Sequence, residues 1–135
     1  MIKIEDLTIT FKNFKISSVN LNIEKGEYFV IIGPTGSGKS MLLETIVGLR
    51  KPDKGRIWLE GKDITNEPPE RRGIGFVYQD YFLFPHLTVR ENISFGLKGI
   101  GLSRENIDER VKSIASTFKI GHLLDRYPET LSGGE

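Results

Sequence analysis

Apolar residues fall into three different rhythms along this 135-residue chain. In the first, Ile2, Ile4, Leu7 and Ile9, and then Val19, Leu21 and Ile23, alternate loosely with polar residues. That spacing predicts strands of a half-exposed sheet, bounded by turns at Lys12-Asn13 and Lys25-Gly26. In the second, Tyr28-Phe29-Val30-Ile31-Ile32 is unbroken, which predicts a strand buried on both faces of a mostly parallel sheet. In the third, Leu42, Leu43, Ile46 and Val47 recur at helical spacing, and Gly48 is placed to stop the helix. Lys51 to Gly55 reads as a turn, Arg56 to Leu59 as a short strand, and Ile74 to Tyr78 as another strand leading to Gln79.

Beyond Gln79 the pattern turns helical. Thr88-Val89-Arg90-Glu91 has the form of a capping box, in which threonine and glutamate each satisfy amides left over at a helix start. Ser103 opens a segment that sets Ile107, Val111, Ile114, Ala115 and Phe118 on one face, and Gly99 with Gly101 marks the turn before it. No repeat or low-complexity tract interrupts this plan. It predicts a mixed sheet core over residues 1–79 and a helical subdomain over 80–135.

Composition adds only exclusions. Apolar residues make up 38% and charged residues 27%, ordinary for a folded domain. The 19 basic and 18 acidic side chains leave a net charge of +1, so no nucleic-acid partner is expected. The absence of cysteine excludes disulfides and thiolate metal sites. Residues 1–6 mix charge with apolar residues and lack the apolar run of a signal peptide. A cytoplasmic chain is expected, reaching a membrane only through a partner.

The chemistry lies between the unbroken apolar run and the helix. Gly33-Pro34-Thr35-Gly36-Ser37-Gly38-Lys39-Ser40 fits G-x-x-x-x-G-K-[ST]. Four fixed positions coincide by chance about once in tens of thousands of windows at background usage. A loop nearly free of side chains lets backbone N–H groups wrap phosphate oxygens, and glycine takes positive φ without strain. The following helix adds amides and the positive end of its dipole. Lys39 would place a charge on the β and γ phosphates, and the Ser40 hydroxyl would ligate Mg²⁺. The motif specifies a nucleoside triphosphate without separating an ATPase from a kinase or GTPase.

Gln79 behind its strand, the run Leu83 to Ile93 and the closing Leu131-Ser132-Gly133-Gly134-Glu135 narrow the class. With them the chain resembles, over all 135 residues, the ATP-binding subunit of an ABC transporter, whose signature is LSGGE and whose Q-loop carries Gln79. The resemblance implies an α/β fold: part of a P-loop NTPase core, with an N-terminal antiparallel β subdomain and a helical subdomain. It implies that Phe11 stacks on adenine and that Gly33 to Ser40, with Met41, holds ATP and Mg²⁺. Gln79 would help ligate Mg²⁺ and sense the γ-phosphate, so Lys39 and Gln79 carry the catalytic part. Ser132, Gly133 and Gly134 would contact ATP held by a second copy in a head-to-tail dimer, and Tyr81 to His86 would dock a transmembrane permease. Ser132-x-x-Glu135 is itself a capping-box pattern at a helix start. Pro85-His86-Leu87-Thr88-Val89 resembles the importer branch, which also uses a solute-binding protein. Residues 26–36, 76–81 and 122–126 resemble ATP-binding subunits of molybdate or tungstate importers.

Taken singly, these residues also have plainer readings. Phe11 would pack on the core, Gln79 would be a surface amide, Tyr81 to Phe84 would be core, and Leu131 to Gly134 a flexible tail. The family continues past its signature with an apolar strand ending in Asp-Glu and a His-bearing loop, and neither is present here. The chain is therefore expected to be a fragment that binds Mg·ATP weakly, does not turn it over, and leaves an apolar sheet edge open. Alternatives are a non-hydrolysing ATP-binding or docking module, a P-loop small-molecule kinase using Arg71-Arg72, and a soluble ABC protein of repair or translation.

Overall fold

A computed structural model describes residues 1–79 and 82–135, which form two compact units, Met1–Val77 and Tyr78–Glu135. In the first unit, β1 (Ile2–Phe11) and β2 (Phe14–Ile23) form a hairpin closed by Lys12-Asn13, with Lys12 at φ 51°. β3 (Lys54–Leu59) and β4 (Lys62–Asp63) complete an antiparallel sheet of order β2-β1-β3-β4. Helix α1 (Lys39–Val47) lies across its core, and the single-turn α2 (Pro69–Arg72) follows β4.

The loose alternation of β1 has a structural cause. Ile2 and Ile4 are even-numbered, Leu7 and Ile9 odd, and a strand's period of two should send the pairs to opposite faces. A bulge between Ile4 and Leu7 shifts the register against both β2 and β3, with Asp6 at φ 45°. The inserted residue restores Leu7 and Ile9 to the core, where both are buried with Ile4. Asn20 Oδ1 accepts the Asp6 N–H at 3.0 Å. Gly55 fits against the bulge because it has no side chain: a Cβ there would meet the Glu5 carbonyl oxygen and the Leu7 Cα at 2.5 Å. Ile57 and Ile64 join the core from β3 and the segment after β4, and Leu42 and Ile46 from α1.

Two expected strands are not formed. Residues 28–32 and 74–78 carry no strand and pair with none of the four described ones. Ile31 and Ile74 pack against the core, whereas Tyr28 is 93% and Ile32 90% exposed. An unbroken apolar run becomes a doubly buried strand only when neighbours flank it, and β1 to β4 supply none.

The second unit is helical: α3 (Val89–Ser94), a 3₁₀ segment Phe95–Ile100 where a turn was expected, and α4 (Arg104–Thr117). Thr88 and Glu91 form the expected capping box, and Ser103 Oγ caps α4 by accepting the Asn106 N–H. The next two amides of α3 are also satisfied, with the Val89 N–H donating to the Arg126 carbonyl and the Arg90 N–H to the Leu124 carbonyl. That pins the 123–126 segment to the helix start. Its core is small, with Val111 and Ala115 buried beside Val89, Leu123 and Leu124. It covers the Ile107–Val111–Ala115 row only, so Ile114 and Phe118 of the expected apolar face are exposed. Among the described residues, no helix is long and apolar enough to cross a membrane.

Candidate functional site

The loop expected to bind phosphate takes its shape from its own glycines and a backbone hydrogen bond. Gly36 and Gly38 take φ of 83° and 89°, the left-handed region that glycine enters without strain. Gly38 is also crowded, because a Cβ there would lie 2.5 Å from Ile16 Cδ1 and 2.8 Å from Phe14 Cε1. A Cβ on Gly33 would meet Ser37 Oγ at 2.8 Å. The loop closes with the Ser37 N–H donating to the Pro34 carbonyl at 3.2 Å. Gly36 and Gly38 are therefore required by backbone geometry rather than by flexibility.

Gly38 is the N-cap of α1, and no side chain caps the helix there. Its first amides and the dipole's positive end face the loop without an internal acceptor. Lys39 Nζ donates to the Gly33 carbonyl at 2.7 Å and the Pro34 carbonyl at 2.8 Å. The ammonium is thus folded over the mouth of the loop by neutral acceptors, which an anionic oxygen would outcompete. Ser40 is exposed one residue further on, and Met41 packs against the core. Helix-start amides, an ammonium and an adjacent hydroxyl in a cradle of small side chains fit a polyphosphate. Among the described residues no group of three or more His, Cys, Asp or Glu could hold a metal ion. A hydroxyl ligand such as Ser40 suits Mg²⁺ bound largely through phosphate oxygens and water.

The C-terminal end of the same helix is anchored by a residue the sequence did not single out for this role. Arg72 is 3% exposed. Its guanidinium donates to four carbonyls: Nη1 to Thr45 and Ile46 at 2.9 and 2.8 Å, Nη2 to Thr65 at 2.9 Å, and Nε to Glu67 at 2.8 Å. Burial lowers its pKa, with Glu67 opposing the shift. A positive charge against the last carbonyls of a helix complements the dipole. Arg72 is therefore spent inside the unit and cannot serve as the lid arginine that the kinase alternative needed.

Phe11 is the last residue of β1 and is 46% exposed, so it does not belong to the core. It lies in the same unit as the phosphate loop. Gln79 is exposed in a turn at the start of the second unit. Ser132 to Gly134 are exposed near the end of that unit, in a turn with no helix. There the Ser132 N–H donates to Glu135 Oε2 at 2.7 Å, and the Ser132 hydrogen bonds hold the Glu135 carboxyl below its usual range. One half of the expected capping box is thus present. Of Tyr81 to His86, Tyr81 lies outside the described residues; Phe82 to His86 are exposed. Asn92 braces this stretch, accepting the Phe84 N–H and donating to the carbonyls of Phe84, Leu87 and Thr88.

A sequence model described as ABC transporter matches residues 16–135. The molybdate/tungstate import ATP-binding protein WtpC of Pyrococcus abyssi is 49% identical over 135 residues, which cover all of this chain and 39% of that protein. The sulfate/thiosulfate import ATP-binding protein CysA of Nephroselmis olivacea is 45% identical over 135 residues, 99% of this chain and 39% of its own length. A solved dimeric ATP-binding cassette, in a post-hydrolysis state with ADP and Pi, aligns with TM-score 0.87 and 32% identity over 99% of this chain and 64% of that one. The chain spans about two fifths of the length of these curated relatives.

Proposed function

The chain belongs to the ABC transporter family, and from that premise we propose that it carries the ATP-binding, energy-coupling machinery of an importer for molybdate or tungstate. The observation that supports this most is the cradle at Gly33 to Ser40, where positive-φ glycines, uncapped helix amides and Lys39 converge. Lys39 would leave the Gly33 and Pro34 carbonyls to meet the β and γ phosphates, and the Ser40 hydroxyl would hold Mg²⁺. Bound Mg²⁺ supplies charge neutralisation on the phosphate oxygens. Phe11 offers its exposed ring to adenine. Ser132, Gly133 and Gly134 meet the ATP of a second copy, so that binding closes a head-to-tail dimer and hydrolysis reopens it. The Tyr81 to His86 stretch, with Phe82, Leu83 and Phe84 exposed, contacts permease subunits on the inner face of the membrane, and a solute-binding protein delivers the cargo outside.

The cargo reading is supported by the 49% identity to the molybdate/tungstate relative over the whole of this chain. Both this relative and the sulfate/thiosulfate one are named for tetrahedral oxyanions, whose size and charge the rest of the transporter would have to discriminate. The test is uptake into vesicles that hold the intact transporter, with ATP enclosed on the side of this subunit. ATP-dependent tungstate or molybdate uptake that exceeds sulfate uptake and disappears in Lys39→Ala is expected. Preference for sulfate would overturn the cargo, and uptake that survives Lys39→Ala would overturn the energy coupling.

A further inference from the structure

Arg50 lies just beyond the end of α1, and its guanidinium carbon stands 4.7 Å from the centroid of the Phe11 ring. A cation at that distance is attracted by the ring quadrupole, and a planar guanidinium can also stack on it. The guanidinium is itself held, since Nε and Nη2 donate to Glu44 Oε2 at 3.3 and 3.1 Å. Glu44 belongs to α1, and its carbonyl accepts the backbone N–H groups of Leu49 and Arg50. The Arg50–Glu44 pair is half-buried, which protects it from solvent better than a surface bridge. A chain of contacts therefore runs from the helix that bears Lys39 and Ser40, through Glu44 and Arg50, to Phe11 at the tip of the β1–β2 hairpin. Without it, Phe11 would be a half-exposed ring beside a two-residue turn, free to change rotamer.

We propose that Arg50 is a positioning residue for the base platform: clamped by Glu44, it stacks against Phe11 and holds the ring in register with the phosphate loop. This rests on the reading of Phe11 as the adenine platform. The role is one of base affinity and not of phosphate affinity, since Arg50 is tied to a carboxylate and to a ring. Lys12 Nζ, 5.5 Å from the same centroid, has no such clamp among the described contacts and contributes charge without orientation.

The test measures dissociation constants of Mg·ATP and of inorganic tripolyphosphate for the purified protein, with thermal unfolding as the control for folding. Arg50→Ala should weaken ATP about two- to five-fold, the equivalent of one exposed cation–π contact, and leave tripolyphosphate unchanged. Arg50→Lys keeps the charge and loses the planar stack, so its ATP-to-tripolyphosphate ratio should move the same way while its fold is preserved. Adding Arg50→Ala to Phe11→Ala should cost nothing further. An unchanged or improved ratio in both Arg50 variants, or additive losses in the double variant, would overturn this inference while ATP binding stands. Failure of the unsubstituted protein to bind either ligand would remove the nucleotide reading, and this inference with it.

Discussion

Gly38 and Arg72 show how single residues hold the phosphate-loop helix at its two ends. Gly38 permits the left-handed turn that exposes the first amides, and the hairpin side chains Phe14 and Ile16 leave it no room for a Cβ. Arg72 ties the last turn to the segment after β4 through the carbonyls of Thr45, Ile46 and Thr65. Removing a buried donor leaves those carbonyls desolvated, a cost well above that of an exposed hydrogen bond. Arg72→Ala should therefore lower stability by about 3 kcal/mol. Arg72→Lys should recover only part, because an ammonium cannot reach four acceptors spread across a planar fork. Urea unfolding followed by the fluorescence of Trp58, the only tryptophan, measures both. A loss below about 0.5 kcal/mol in Arg72→Ala would contradict the anchoring role.

At the scale of elements, the helices were legible because their ends are written locally. Gly38 and Gly48 bracket α1, Thr88 and Glu91 open α3, and Ser103 opens α4, each within four residues of the atoms it satisfies. The Glu91 carboxyl is held below its ordinary value of 4.5, first by the Thr88 N–H and then by the Thr88 hydroxyl. A depressed carboxyl contributes stability that is present above the unfolded value and lost as pH falls through the folded one. The helical unit should thus lose helicity on acidification below pH 4.5. Glu91→Gln keeps an acceptor but cannot titrate, so its far-ultraviolet circular dichroism should fall less steeply over the same range; an unaltered acid limb would count against the box. What the sequence did not disclose is non-local. Residues 28–32 carry the side chains of a buried strand, yet strand pairing depends on neighbours elsewhere in the chain. The bulge at Asp6 was visible only as a change of parity between Ile4 and Leu7. Arg72 and Arg50 look like ordinary surface arginines in sequence, because their roles depend on carbonyls, a carboxylate and a ring brought to them by folding.

At the scale of the whole molecule, the residues implied by the resemblance divide between the two units. Phe11 and the phosphate loop belong to the first; Gln79 and Ser132 to Gly134 belong to the second. The loop's geometry came through from sequence alone because its motif is contiguous and Gly36 and Gly38 supply the positive φ it needs. The roles proposed for Gln79 and the Ser132 turn rest on the resemblance to the family. Everything proposed for the molecule begins with a nucleoside triphosphate in the Gly33 to Ser40 cradle. Calorimetric titration of Mg·ATP into the purified protein, beside Lys39→Ala, tests that most directly. The account predicts a saturable one-site isotherm for the unsubstituted protein and loss of about tenfold or more in affinity on removing the ammonium. Equal affinity in the two proteins, or no binding by either, would contradict it.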